Sequence, residues 1–347
     1  MPRAHTLPPP LAERLTAQGL AGEPLAGPVA VAERLLAVQA QDPRGARLAV
    51  RARTVGGHAA DVDRALTEDR SLLVTWLNRG TLHLVRREDY QWLQALTTPP
   101  HLTSCRTRLR QTGVGEAAAE KGVETIARAL AEEGPRTRAQ LRERLDAAGV
   151  PTAGQALVHV IFLAALRGIC VRGPTAGNEQ AFVLTADWLG PQPQVDREQA
   201  LAELARRYLA GHGPAGERDL ARWAGLPLRD ARAGLEAIAP KLEQRPDGLV
   251  DLAARQPAAE LPPPRLLGSF EPLLLGWVSR EEVVGPQKLL VTNNGIFRPF
   301  ALVDGRAVAT WRLSGSKLEI EHLGRVTKKA AAALEAEAEA VLAYLER

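Results

Sequence analysis

The stretch TAGQALVHVIFLAALRGICVRGPTAGNEQAFVL, Thr152–Leu184, changes its hydrophobic period halfway along. As far as Arg167 its apolar side chains fit a helix. Beyond it, Ile169-Cys170-Val171-Arg172 and Ala181-Phe182-Val183-Leu184 are β-like runs around a turn rich in Gly, Pro and Asn. A helix that feeds a hairpin is the second half of a winged helix-turn-helix. The first half lies upstream: a helix over 117–133, a Gly134-Pro135 break, and a helix capped by Thr137 that carries Leu141 and Leu145. The same order returns between Asp196 and Leu252. Helices end near Ala210, span Glu217 to Ala224 and span Pro227 to Ala239, and Leu242-Glu243-Gln244 then faces Leu249-Val250-Asp251 across Pro246-Asp247-Gly248.

The first hundred residues follow a looser version. Helices are expected over Leu11 to Gln18, Pro28 to Ala40 and Ala59 to Thr67, strands over Leu72 to Trp76 and Thr81 to Val85 around Asn78-Arg79-Gly80, and a helix from Glu88. From Pro262 the texture turns to short alternating runs (Leu289-Leu290-Val291, Phe297 to Val303, Ala307 to Leu313, Leu318 to His322) with turns at Asn293-Asn294-Gly295 and Asp304-Gly305, before a helix from Lys328 to Glu346. The fold class expected is α+β: three tandem winged helix-turn-helix units followed by a small antiparallel β-domain, sheet or barrel. Domain borders fall at 1–115, 116–190, 191–256 and 262–347, with Pro257 to Pro264 as the linker.

Composition narrows the function. The chain has 347 residues, 45% hydrophobic and 24% charged, which suits several packed units. Its two cysteines, Cys105 and Cys170, show neither a CxxC nor His-rich spacing, so no disulfide framework and no zinc site is expected. No run approaches the roughly 18 apolar residues of a membrane span, and Met1-Pro2-Arg3-Ala4-His5 leads into a triple proline rather than a signal core. A cytoplasmic, nucleoid-associated protein without membrane contact is the expectation. Net charge is +4 and the pI about 9.3. Six of the 44 basic residues are lysines, leaving 38 arginines. Guanidinium suits phosphate and guanine recognition, although high-GC codon usage produces the same bias.

Motifs for nucleotide hydrolysis, dinucleotide binding, zinc peptidases and serine hydrolases are all missing, and the seven histidines are scattered without ligand spacing, so neither metal nor cofactor is expected. Three segments carry polar groups in unusual company. In Val38-Gln39-Ala40-Gln41-Asp42-Pro43 an apolar helix face runs into two amides and an acid. Residues two apart do not share a helix face, so Gln39 and Gln41 converge only if the helix unwinds before Pro43; otherwise they are caps or surface groups. In the strand after Arg79, Thr81 and His83 share one side while Leu82 and Leu84 share the other, which suits either a solvated hairpin or a ligand-facing strand. Arg106, Arg108 and Arg110 lie among Thr103, Ser104 and Thr107, a run fit for phosphate contact or for a solvated face.

Taken together these segments resemble the winged-helix proteins related to the bacterial DNA glycosylases AlkZ and YcaQ. Gln39-Ala40-Gln41 is similar to that family's catalytic Gln-x-Gln, Trp76 through Val85 to its W-x-x-RGTLH-x-V signature, Leu267 to Trp277 to its LLPxFDPLLLGY segment, and Phe297 to Trp311 to its RPxxLVDGRVVGTW segment. Four motifs in order over most of the chain are specific. Ser269, Glu271 and Phe300-Ala301 depart from the pattern, outside the expected active site.

The resemblance implies a monofunctional DNA glycosylase that hydrolyses the N-glycosidic bond of N7-alkylated purines, interstrand cross-links included, with duplex DNA as partner and a monomeric state. An N7-alkylated base is already cationic and leaves neutral, so the enzyme has chiefly to position water and stabilise an oxocarbenium-like sugar. Gln39 and Gln41 are assigned to the water and Asp42 to an orienting role behind them; Arg79, His83, Arg106, Arg108, Arg110 and Arg298 are the candidate DNA contacts. No lysine precedes Lys121, which leaves a lyase only Pro2 as a nearby amine nucleophile once Met1 is removed. The rival reading is a transcription regulator built of winged helices, which predicts sequence preference and a dimer. A self-resistance enzyme of narrow substrate range is a variant of the first.

Overall fold

A computed structural model of the chain describes residues 9–176, 179–285, 290–292 and 295–346. Pro2, the Gly177-Asn178 part of one hairpin turn, Leu289 and the Asn293-Asn294 turn lie outside the described residues. The chain divides into two compact units, one of Met1–Val62, Leu201–Trp223 and Pro227–Arg347, the other of Asp63–Ala200 with Ala224–Leu226. The four consecutive segments expected from sequence are therefore not the compact units.

Pairing between hairpins explains much of the difference. In the second unit Leu72–Trp76 pairs antiparallel with Leu82–Arg86, Trp76 opposite Leu82 and Thr75 opposite His83. Cys170–Ala176 pairs with Glu179–Leu184, and Val74 opposite Arg172 joins the two hairpins edge to edge. The expected wings of the first and second winged helices thus contribute to one sheet. The helices Glu116–Glu133, Arg138–Ala147 and Ala156–Leu166 precede the second hairpin, and Thr137 closes a capping box with Gln140. Val123, Ile126, Leu141, Leu145, Leu157 and Ile161 fill one core with Cys105 and Leu109. Eight of the eleven residues of Ala156–Leu166 are buried, so this third helix is a core element. Both cysteines are free thiols whose burial pushes them up, Cys105 to about 11 and Cys170 to about 12.

In the first unit the helix expected over Pro28 to Ala40 ends at Leu35. Leu36 sits at φ +63°, which stops the helix, and Val38–Gln39 is extended. Pro43, expected as a stop, instead opens the helix Pro43–Arg51, with the Asp42 carboxylate as N-cap accepting from Arg44 N at 3.0 Å. Asp-Pro at N-cap and N1 is a strong start signal, because proline supplies a preset φ where no N–H is needed. Arg197–His212, Glu217–Ala224 and Leu228–Ala237 precede the small hairpin Leu242–Gln244 with Val250–Leu252, whose register sets Glu243 opposite Asp251.

The C-terminal part of this unit is an open antiparallel sheet in the order Lys317–His322, Arg306–Ser314, Phe300–Val303, Arg265–Leu267. The helix Lys328–Leu345 covers one face. Its Leu334, Val341 and Tyr344 pack on Leu266, Ala301, Ala309 and Trp311, and Leu48 of Pro43–Arg51 enters the same core. Among the described residues no helix is long and apolar enough to cross a membrane, and no cluster of His, Cys, Asp or Glu could hold a metal.

Candidate active site and DNA-contact residues

The two glutamines meet because the helix before them stops. In the extended segment that follows, Gln39 Nε2 donates to Gln41 Oε1 at 2.7 Å. Gln39 is buried and Gln41 exposed, so the pair runs from the interior of the first unit to its surface. An amide oxygen has two lone pairs, and the bond from Gln39 occupies one on Gln41. Asp42 comes next. One carboxylate oxygen caps the helix, and among the described residues the other takes no hydrogen bond.

Several anchors hold the helix Pro43–Arg51 that starts here. Arg51 forms a two-pronged ion pair with Glu337 of the terminal helix, at 2.7 and 2.9 Å, and Tyr344 OH donates to Arg47 O at 3.0 Å. Just beyond the helix, Arg53 is fully buried and donates to Gln18 O, Gln18 Oε1, Ala49 O and, at 2.6 Å, to the equally buried Glu271. Glu271, where the resemblance led us to expect Asp, is therefore a structural counter-ion.

The Leu267 to Trp277 motif meets the glutamine helix through two glycines. A Cβ on Gly268 would lie 2.9 Å from Gly45 Cα and 3.1 Å from both Gly45 O and Leu48 Cβ, and one on Gly45 would overlap the Ser269 carbonyl. Only a backbone without side chains allows that approach. Phe270 follows at φ +56°, a left-handed conformation that bulky residues seldom adopt, with its ring 5.9 Å from that of Phe297. Trp311 Nε1 donates to Leu267 O at 2.9 Å, linking the fourth motif to the third. Arg298 is exposed, beyond Phe297, with its backbone N–H on Leu290 O at 2.9 Å.

In the second unit Asn78–Gly80 forms a single 3-10 turn with Arg79 at φ +59°. Gly225 rests on that turn, where a Cβ would come within 2.7 Å of Arg79 N. Gly80 is capped by His101, whose Nδ1 would lie 3.3 Å from a Cβ there. His83 is buried and its Nδ1–H donates to Thr81 O at 2.9 Å, since a carbonyl can only accept. Burial above all, then the charge of Arg79, pulls His83 down to about 3. It is a neutral imidazole, so any DNA contact it makes is a hydrogen bond and not an ion pair. The solvated alternative for this strand fails, as four of the five residues of Leu82–Arg86 are buried.

Arg106, Arg108 and Arg110 are all exposed on the helix Pro99–Gln111. A helix advances 100° per residue, so Arg106 and Arg110 share a face and Arg108 points nearly opposite. Arg108 reaches Gln111 Oε1 at 3.1 Å. Sequence reasoning missed two features. The glycine contact needed knowledge of which backbones approach. Asn78, buried with neither amide atom hydrogen-bonded among the described residues, sits inside the Trp76 to Val85 motif at a position that carried no signal of its own.

The family model of AlkZ-like DNA glycosylases matches residues 32–344. The interstrand DNA cross-link repair glycosylase of Streptomyces sahachiroi is 31% identical over 319 residues, covering 84% of this chain and 83% of that protein. The solved structure of the Streptomyces sahachiroi DNA glycosylase AlkZ aligns with a TM-score of 0.79 and 26% identity, over 96% of this chain and 95% of that one.

Proposed function

The chain belongs to the AlkZ-like family of DNA glycosylases, enzymes that hydrolyse N-glycosidic bonds, and from that premise we propose that it is a monofunctional, monomeric glycosylase for N7-alkylated purines that also unhooks interstrand cross-links. The relative named for cross-link repair supports the wider substrate range. The 2.7 Å bond between Gln39 and Gln41 carries the mechanistic reading, because it joins a buried amide to an exposed one at the mouth of an anchored helix.

In this mechanism the remaining lone pair of Gln41 Oε1 accepts a hydrogen bond from the attacking water, whose proton is released to solvent as the C–O bond forms, and Gln39 fixes the Gln41 rotamer from below. The alkylated base departs neutral with the glycosidic electron pair, so no strong acid is required. The Asp42 oxygen left free of hydrogen bonds supplies negative charge as the sugar gains oxocarbenium character. Arg79, Arg106, Arg108, Arg110 and Arg298 bind phosphates, His83 serves as a neutral hydrogen-bonding group of the Trp76 to Val85 motif, and with no lysine before Lys121 only Pro2 is left to a lyase step as an amine near in sequence.

The test is a duplex oligonucleotide bearing one N7-methylguanine, incubated with wild type or with Gln39→Ala/Gln41→Ala and then treated with mild base. Strand breaks from wild type alone support both activity and mechanism. Breaks from both proteins overturn the glutamine role. If neither protein breaks the strand, a nitrogen-mustard cross-link in the same assay separates a bulkier substrate from the regulator reading.

A further inference from the structure

The strand Lys317–His322 is the edge of the C-terminal sheet. It pairs only with Arg306–Ser314, so alternate N–H and C=O groups along it point away from the sheet with no strand beyond among the described residues. Such an edge is a template for another chain. Between this edge and the helix Lys328–Leu345 runs a groove of about 470 Å³, open to solvent. Its floor is aliphatic: half-buried Leu318 and Ile320 from the strand, Ala331, Ala338 and Leu342 from the helix. One wall carries Glu335 and Glu339, both exposed and without an ion pair among the described residues, while Lys317 and His322 line the groove only at the two ends of the strand. Many other acids of this protein are paired with arginine, including Glu120, Glu133, Glu217, Glu319 and Glu337.

We propose that this groove takes an extended peptide segment of a partner protein, added to the edge strand and carrying basic residues at alternate positions. The spacing fits. Glu335 and Glu339 are one helical step of four apart, about 6 Å along the axis, and side chains two apart on a strand recur at about 6.8 Å. Basic side chains at that interval lay their aliphatic stems on Leu318, Ile320 and Ala338 and bring their charges to the two carboxylates. The small side chains of Ala331 and Ala338 leave room for those stems. A strand between a sheet edge and a helix gains affinity from main-chain hydrogen bonds and specificity from alternate side chains. The acidic wall disfavours DNA here.

The probe is an N-acetylated, C-amidated nonapeptide of alternating threonine and lysine, titrated into the full-length protein by fluorescence anisotropy beside its threonine–glutamate counterpart. Wild type should bind the lysine peptide at one to one and at least tenfold more tightly than the glutamate peptide. Glu335→Lys/Glu339→Lys should invert that preference while leaving glycosylase activity unchanged, since both positions are exposed and far in sequence from Gln39 and Gln41. N-methylation of the lysines and of the threonines, in separate peptides, should abolish binding for one set only, and bound peptide should slow amide hydrogen exchange across Lys317–His322. An unchanged preference in the charge-reversed variant overturns the proposal, as do equal effects of both methylation patterns or exchange unaltered at that strand. So does a dimer by sedimentation, without peptide, that the same variant dissolves; that outcome assigns the edge to self-association.

Discussion

Replacing Gly268 with alanine tests whether the contact between the third motif and the glutamine helix holds the candidate active site. Gly268 has an ordinary negative φ, so the backbone itself accepts alanine, and the lower entropy of the unfolded chain would favour the variant by about 0.4–1 kcal/mol. The new methyl, however, would stand 2.9 Å from Gly45 Cα and 3.1 Å from Gly45 O and Leu48 Cβ. Ordinary contact needs about 0.5 Å more at Gly45 Cα and about 0.3 Å more at the other two, and the neighbours are two backbone atoms and a Cβ, none of which rotates away. Overpacking of this kind costs about 1–3 kcal/mol. The steric effect therefore wins, by roughly 1–2 kcal/mol, and thermal unfolding should shift down by about 2–6 °C. Relief requires the helix Pro43–Arg51 to retreat at its N-terminal turn, three residues beyond Asp42, so single-turnover cleavage should fall about tenfold or more. Gly324→Ala is the control, since a Cβ there meets nothing within 4 Å and φ is not positive. If Gly268→Ala melts at or above wild type with full activity, the close approach is not what positions the glutamines.

Glu271→Gln leaves the fully buried Arg53 without its counter-ion and should cost about 3–5 kcal/mol in urea unfolding, whereas Arg53→Met/Glu271→Leu together should recover most of it; equal losses would deny the pair its role. His83 is held neutral down to about pH 3 while the unfolded chain protonates near 6.5, so the stability it contributes is present above pH 6.5 and drains away as pH falls towards 3. Across that window His83→Gln should flatten the stability curve by up to about 1.4 kcal/mol per pH unit, and an unchanged slope would place the sensitivity elsewhere. For DNA binding, Arg106→Ala/Arg110→Ala should lower the salt dependence of affinity by about two phosphate contacts, and Arg108→Ala should act independently of that pair; a single synergistic effect of all three contradicts the helix geometry. Borohydride with abasic DNA should trap no adduct.

The elements were largely legible where local signals agree. The Thr137 cap, the strand Leu72–Trp76, and the hairpin around Pro246-Asp247-Gly248, whose second strand lies one residue later than read, follow from residue patterns that tertiary packing had no reason to override. The helix bearing Leu35 was read five residues too long, because Leu36 and Val38 continue an apolar run whose burial gives no hint of the φ +63° at Leu36. Of the two outcomes left open for the glutamines, the unwound one holds: two amides two apart meet in an extended segment, not on a helix. The strand bearing His83 was left open between a solvated hairpin and a ligand-facing strand for a related reason. Alternation along a strand reports that its two faces differ, not that the polar one is wet, and here both are covered.

The winged-helix order itself argues for catalysis over regulation. A winged-helix reader presents its third helix to the major groove, with basic and amide side chains facing base edges. Ala156–Leu166 offers no charged residue and is mostly buried, having become the core of its own unit. Leu228–Ala237 carries Arg229, Asp230, Arg232 and Glu236, a balanced set in which Arg232 is bound to Glu217 and Gly234 presses on the Leu201 backbone. The first helix keeps no face for sequence reading, and the exposed charges of the second balance one another. The side chains most exposed to duplex phosphates in this reading, Arg106, Arg110 and Arg298, lie instead on a helix and a loop outside the helix-turn-helix motifs, and such contacts hold any sequence alike. Indifference to sequence is what a lesion-directed enzyme requires, because the information it needs resides in the cationic base and not in its neighbours.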